Sequence, residues 1–146
     1  MKYLTLEQVQ AKRPCRSGMI IARRIFGKRK KIAISVKLAR TLSNLPYEWL
    51  ARHLLSASSW NAFLIATDQI ARRCDVAVGK ADNKYTQAMK IAWRRCARQS
   101  RSMWPARYAR ILHNFETAYR RAQTQCRRDR AAAFARAFLQ QHRNDS

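Results

Sequence analysis

The sequence predicts an all-α protein in which short N-terminal helices precede one or two long helices. Only three Gly and three Pro occur in 146 residues, which leaves few sites for turns. Apolar residues make up 47% of the chain, a fraction typical of a globular core and too high for a disordered basic tail. From Ser59 onward, apolar residues also recur every 11 residues, which corresponds to three helical turns. The scarcity of Gly and Pro and the 11-residue repeat favour helices over a sheet, and the apolar fraction indicates a folded core.

The first 56 residues carry helix start and stop signals at short intervals. Thr5 and Gln8 have the spacing of a capping box, and the helix that they open is expected to stop before Pro14. Ser17 is the expected cap of a second helix that ends at Gly27. The predicted buried side of this second helix contains Met19, Ile20, Ala22 and either Ile25 or Phe26.

Residues 28–42 allow two interpretations after an exposed basic loop, Lys28-Arg29-Lys30-Lys31. The apolar residues from Ile32 to Leu38 alternate as in a strand, but Ser35 is equally suited to cap a helix. A single strand needs a partner, and none is evident from the sequence. Pro46 then lies in the first turn of a further predicted helix.

The 11-residue repeat defines an apolar seam along the second part of the chain. Its members are Phe63, Cys74, Tyr85 and Cys96, followed after one extra residue by Tyr108 and Tyr119. The positions three residues later are small or apolar except for Gln99: Ala66, Ala77, Ala88, Ile111 and Ala122.

This pattern predicts a long helix over 59–103, with Gly79 as its candidate bend, and a second over 106–141 beyond Pro105. The second helix either folds back on the first or continues at an angle. The predicted regions are thus 1–56 and 57–146, and together they are small enough for one compact domain.

Charge is the unusual property of the chain, because 31 Lys and Arg face only 8 Asp and Glu, a formal net charge of +23. Repulsion on this scale weakens a compact state and points to a polyanionic partner. A basic residue precedes most seam positions, and others flank them. A solvated helix face is the common explanation of such a charge run, but the scarcity of acids favours a binding surface. The predicted nucleic-acid-binding residues are Lys28, Arg29, Lys30, Lys31, Arg72, Arg73, Lys84, Arg94, Arg95, Arg107, Arg120, Arg121, Arg127 and Arg128.

Residues capable of catalysis or metal binding do not form a recognisable pattern. Asp68, Asp75 and Asp82 are about 10.5 Å apart along a helix, too far to share one metal ion. None of the three histidines has a His or Cys three or four residues away, and the scattered glycines form no phosphate loop. The sequence therefore predicts neither an enzyme nor a cofactor.

The four cysteines, Cys15, Cys74, Cys96 and Cys126, are spread singly along the chain. No signal peptide is evident in the first ten residues. We therefore expect a cytoplasmic protein whose thiols are reduced and serve as small core residues.

Two stretches resemble a group of small phage and prophage proteins. The first combines Thr5-Leu6, Pro14-Cys15, Gly18 and Phe26-Gly27. The second includes Trp49-Leu50, residues 53–57, the Ala- and Tyr-rich repeats and the run from Arg130 to Phe138. In the group these repeats are mostly acidic, whereas here they are flanked by Arg and Lys, a departure that suggests a different partner. The resemblance implies a phage accessory origin and brings no activity or site residue with it.

The leading hypothesis is a non-catalytic phage accessory protein, in the cytoplasm of a bacterial host, that binds DNA or RNA with little sequence specificity. Phosphate contacts supply most of the affinity in such binding. Trp93, Trp104, Tyr108 and Tyr119 lie among the cations and are candidates for base stacking, although core packing is the commoner role at helical spacing. The alternative is a basic inhibitor or adaptor that docks on an acidic surface of a host nucleic-acid enzyme or defence complex. The seam of Ala, Cys and Tyr is unlike that of a membrane-binding helix.

Overall fold

The computed structural model describes residues 2–98 and 104–144 and confirms the all-α class. Within these ranges the two long helices predicted from the repeat are present. The predicted end of the first one, at Met103, lies outside the described residues. The elements are β1 (Tyr3–Thr5), α1 (Leu6–Ala11), α2 (Arg16–Phe26), β2 (Lys31–Ala33), α3 (Val36–Thr41), α4 (Tyr47–Leu54), α5 (Ala57–Arg98) and α6 (Trp104–Asn144).

The predicted capping box opens α1. The Gln8 backbone N–H donates to the Thr5 hydroxyl over 3.1 Å, and the Thr5 backbone N–H donates to the Gln8 side-chain carbonyl over 2.9 Å. Both partners come from a four-residue stretch, so this contact forms without help from the rest of the fold. The helix ends at Ala11, ahead of Pro14, as expected.

Helix α2 begins earlier than predicted, and fewer of its apolar side chains are buried than predicted. Cys15, not Ser17, is its N-terminal cap, and the Ser17 hydroxyl lies 3.1 Å from the Cys15 sulfur. Gly27 ends the helix with φ 54 and ψ −124, a conformation that L side chains rarely adopt. Ile20 was predicted to be buried but is 58% exposed. Burial is confirmed for Ala22 and Phe26.

The strand and helix interpretations of residues 28–42 are both correct over different residues. Strand β2 pairs antiparallel with β1, with Thr5 opposite Lys31. The partner strand, which was not evident from the sequence, is therefore β1. Lys31 belongs to a strand rather than to the loop. Ser35 then caps α3, accepting the Leu38 backbone N–H over 3.1 Å. Each strand is only three residues long, too short for alternation to reveal it.

Contacts divide the chain into two compact units. We call residues 1–68 with 127–146 the composite unit and residues 69–126 the hairpin unit. In the composite unit, α6 is buried on all sides from Ala131 to Ala135, as expected of a helix inside a core. The Phe134 ring lies 5.3 Å from the Tyr47 ring.

Polar contacts fix α6 within the composite unit. The Ser56 backbone N–H donates to the Gln141 side-chain carbonyl over 2.6 Å, and Arg40 forms an ion pair with Asp129 at 3.9 Å. The Tyr47 hydroxyl donates to the Ala39 carbonyl over 2.9 Å, and burial raises the pKa of this phenol above its usual range. The N-terminal elements thus pack around a segment from the other end of the chain.

The cysteines form one disulfide and two free thiols. Cys74 and Cys126 are bonded across the hairpin unit, so the prediction of four reduced cysteines was wrong for this pair. The pair is separated by 52 residues in sequence, and only the packing of α5 against α6 brings its members together. Cys96 is buried in the seam as predicted, whereas Cys15 is exposed.

Candidate nucleic-acid interface

The hairpin unit consists of the parts of α5 and α6 that pack antiparallel to each other. Three contacts define the pairing: the Cys74–Cys126 disulfide, the Tyr85 and Phe115 rings at 5.0 Å, and the Trp93 and Trp104 rings at 5.4 Å. Residue numbers rise along α5 as they fall along α6. The second helix therefore folds back on the first, which settles the choice that the sequence left open.

Burial along α5 follows the 11-residue repeat in two columns. The seam column contains Cys74 and Tyr85, half-buried, and Cys96, 6% exposed. The second column lies four residues before the seam, at Ile70, Ala81 and Ala92, all below 9% exposure. The sequence placed it three residues after the seam, where Ala77 is in fact exposed. Residues four apart lie on one helix face, so the two columns together form one buried stripe along α5. The stripe follows the 11-residue repeat, as predicted.

Packing in the seam also changes the pKa of Tyr85, which lies near its middle. Desolvation and then the nearby Tyr108 phenol, through its charge and a hydrogen bond, raise the pKa of Tyr85 above its usual value. Tyr108 and Tyr85 belong to different helices, so this interaction again reflects the antiparallel pairing.

One side of the hairpin unit carries a cationic face. A residue just before a seam position is turned by about 100° from the seam, as Arg73 is from Cys74 and Arg107 from Tyr108. Two antiparallel helices are related by a two-fold axis perpendicular to the plane that contains them. The residues just before the seam positions of α5 and of α6 therefore lie on the same side of the pair. Lys80 lies one turn before Lys84, and Arg110 lies one turn after Arg107. The cationic face consists of Arg73, Lys80, Lys84, Arg95, Arg107, Arg110 and Arg121, all exposed except the half-buried Arg107.

The opposite side of the hairpin unit carries its acidic residues. Asp75 and Glu116 each follow a seam-facing residue, and Asp82 lies on the same flank as Asp75 by the helical repeat. All three are exposed, and they are the only Asp or Glu of residues 69–126, which contain thirteen Lys and Arg. Helix geometry therefore separates the charges of this unit and leaves the cationic face without an acid.

The remaining predicted residues do not share this face. Arg72 and Arg94 are turned toward the outer side of α5 by the helical repeat. Arg120 is on the acidic side, where it forms an ion pair with Glu116 at 3.7 Å. The two residues are four apart, a spacing at which opposite charges on one helix interact.

The predicted basic residues of the composite unit are exposed on separate elements. Lys28, Arg29 and Lys30 connect α2 to β2, while Arg127 and Arg128 lie on α6. The Lys30 carbonyl accepts the Leu6 backbone N–H over 3.1 Å, and the Lys31 ammonium lies 4.9 Å from the Tyr3 ring centre. The loop is thus tied to the two-stranded sheet.

An aromatic cluster lies where α5 and α6 approach each other near residues 93–108. The Trp104 ring is 5.4 Å from that of Trp93 and 6.0 Å from that of Tyr108. Trp93 is 64% exposed, but it is turned toward the acidic side by the same repeat that places Asp75 there. Tyr119 is half-buried and packs against Phe115 at 5.9 Å. Of these ring contacts, the one between Trp93 and Trp104 joins the two helices, whereas the other two lie within α6.

Neither a metal-binding group nor a bilayer-spanning segment emerges from the described residues. Across 2–98 and 104–144, no three His, Cys, Asp or Glu side chains are grouped closely enough to hold a metal ion. In the same ranges, no helix has both the length and the hydropathy required to cross a membrane.

Neither a protein family, a curated protein nor a solved structure matches the chain. Its function therefore has to be inferred from its own residues.

Proposed function

We propose that this protein binds nucleic acid, with little sequence specificity, along the cationic face of its hairpin unit. The observation that carries the proposal is the separation of charge: seven cations share one side, and all three acids of the unit are on the other. A surface that only solubilised the helices would not require this separation. Arg dominates the face, and its guanidinium binds phosphate oxygens in a bidentate manner. The origin as a phage or prophage accessory protein remains part of the proposal.

The spacing of the cations suits a duplex. Arg73, Lys84 and Arg95 are 11 residues apart, so each step is about 16.5 Å along the helix axis. The three together span about 33 Å, close to the roughly 34 Å of one turn of B-form DNA. A phosphate backbone that passes the helix would thus meet cations across a full turn. Contacts of this kind position the partner but do not read its bases.

The proposal is tested by a salt titration of wild-type protein on a mixed-sequence duplex and on single strands. Seven phosphate contacts predict a log–log slope of about −6 for the duplex. Affinity should then fall by roughly 10³ to 10⁵ between 50 and 200 mM salt. Scrambling the duplex sequence is expected to have little effect. Weak binding at low salt would contradict the proposal and favour a protein target with an acidic surface, which a pull-down with and without nuclease can identify.

Replacing Trp93 with Ala is expected to leave the affinity for single strands and duplex within about twofold of wild type. The reason is that the Trp93 ring is turned away from the cationic face, whereas loss of a true stacking platform costs about 1–3 kcal/mol per base. Fluorescence anisotropy on labelled strands at 100 mM salt measures the effect. A loss of tenfold or more on single strands alone would place the interface on the opposite side of the hairpin.

A further inference from the structure

The composite unit contains a large apolar cavity that the cationic face does not explain. Its volume is about 420 Å³, and its walls come from β1, α1, α2, β2, α3, α4 and Phe134 of α6. No charged side chain lines it among the described residues, and its most buried walls include Phe26, Ile32 and Phe134. Protein interiors leave few voids larger than a water molecule, whereas small-molecule sites typically measure about 300–1,000 Å³. The cavity is thus of the size and character of a ligand site.

The exposed lining residues mark the opening of the cavity, and they belong to the start of α2 (Cys15, Ser17, Ile21) and to the segment between α3 and α4 (Asn44, Pro46). Cys15 and Ser17 both line the cavity and are exposed to solvent. Arg13 and Arg16, also exposed, flank Cys15 in sequence. The hydroxyl of Ser17, followed by the backbone N–H of Gly18, lowers the pKa of the Cys15 thiol. The Ser17 hydroxyl and the Gly18 backbone N–H are therefore the donors that an anion at this position would meet.

We propose that the cavity binds a fatty acid, with its alkyl chain among the apolar walls and its carboxylate at the opening beside Arg16. Charge complementarity favours this ligand over a neutral one, because no acidic side chain lines the cavity among the described residues and the exposed Arg16 lies in sequence between the lining residues Cys15 and Ser17. At roughly 30 Å³ per water-sized group, the volume holds a chain of about a dozen methylenes. The inference is independent of nucleic-acid binding, since none of these residues belongs to the cationic face.

The free thiol at the opening provides a direct assay. Cys74 and Cys126 are bonded and Cys96 is buried, so Cys15 is the cysteine that a thiol reagent reaches rapidly in the folded protein. Dodecanoate is expected to slow its modification about tenfold at ten times the Kd, in proportion to the unoccupied fraction. Acetate, which lacks the chain, should not protect the thiol at the same concentration. Equal protection by both anions, or protection by neither, would overturn the proposal.

Three variants separate a cavity ligand from general attraction of anions to a basic protein. Ala22→Leu fills the interior and should weaken dodecanoate binding about tenfold, because the side chain takes the volume of several methylenes. Arg16→Glu reverses a charge at the opening without touching the core and should weaken it about threefold to tenfold. Arg24→Glu makes the same charge change on α2 away from the cavity and should have no effect.

The three dissociation constants are measured by calorimetry at 150 mM salt, with helicity checked by circular dichroism. If Ala22→Leu loses its helical spectrum, the comparison of Arg16→Glu with Arg24→Glu still decides the question. Equal Kd values for that pair would show that the ligand is attracted by net charge alone, and the proposed site would be wrong.

Discussion

A quadruple Gln variant of the basic residues that precede the seam is expected to lose most of the salt dependence of nucleic-acid binding. The variant changes Arg73, Lys84, Arg95 and Arg107. Each lost phosphate contact removes about 0.9 from the log–log slope, so the slope should become flatter by up to about 3.6 units. Helicity should be unchanged, because all four side chains are outside the buried columns. The measurement is the same titration on the same duplex.

The chain offers a matched control with the same loss of charge. Arg72, Lys90, Arg94 and Arg120 are on the outer or acidic sides of the hairpin unit by the helical repeat. Changing these four to Gln should leave the slope within about one unit of wild type. If both quadruple variants flatten the slope equally, net charge and not the cationic face determines binding.

Loss of the Cys74–Cys126 disulfide is expected to cause the second large effect, a drop in thermal stability. Closing a loop of 52 residues restricts the unfolded chain and contributes about 2–4 kcal/mol. For a chain of this size, each kcal/mol corresponds to roughly 4 °C in Tm. The double variant Cys74→Ser with Cys126→Ser should therefore melt about 8–16 °C below wild type. Circular dichroism at 222 nm, with and without a phosphine reductant, records the change.

Cys15→Ser supplies the control for this measurement, since it makes the same substitution at an exposed free thiol. Its Tm should match wild type, and reductant should lower both equally. Denatured wild-type protein, prepared without reductant, should contain two titratable thiols. A count of four, with a Tm that ignores reductant, would mean that the disulfide does not form in solution.

Local signals in the sequence were sufficient for much of the fold. The Thr5–Gln8 capping box and the stop at Gly27 each depend on residues within one turn, so no tertiary information is required. The long helices follow from a repeat that persists over many turns, which makes their existence easy to predict. Their buried stripe was also placed correctly, apart from the second column.

What the sequence did not reveal depends on contacts between distant residues. Strand β2 is only defined by its pairing with β1, about 28 residues earlier. The disulfide and the grouping of Arg107 with Arg73 both require the antiparallel packing of α5 and α6. Ile20 fits a helical apolar pattern, yet it is 58% exposed. The apolar cavity has no sequence signature, because its walls come from seven separate elements.

The composite unit has a consequence for the order in which the chain folds during synthesis. Its N-terminal elements pack around residues 127–144, which are translated about 60 residues after Asp68. At roughly 5–20 residues per second, these elements wait about 3–12 s for the helix that fills their centre. During that interval the apolar surfaces of the N-terminal elements are accessible to chaperones and proteases. A nick before Arg127 in the finished protein would likewise leave the core of this unit attached by non-covalent contacts alone, in a unit that lies mostly in the first half of the sequence.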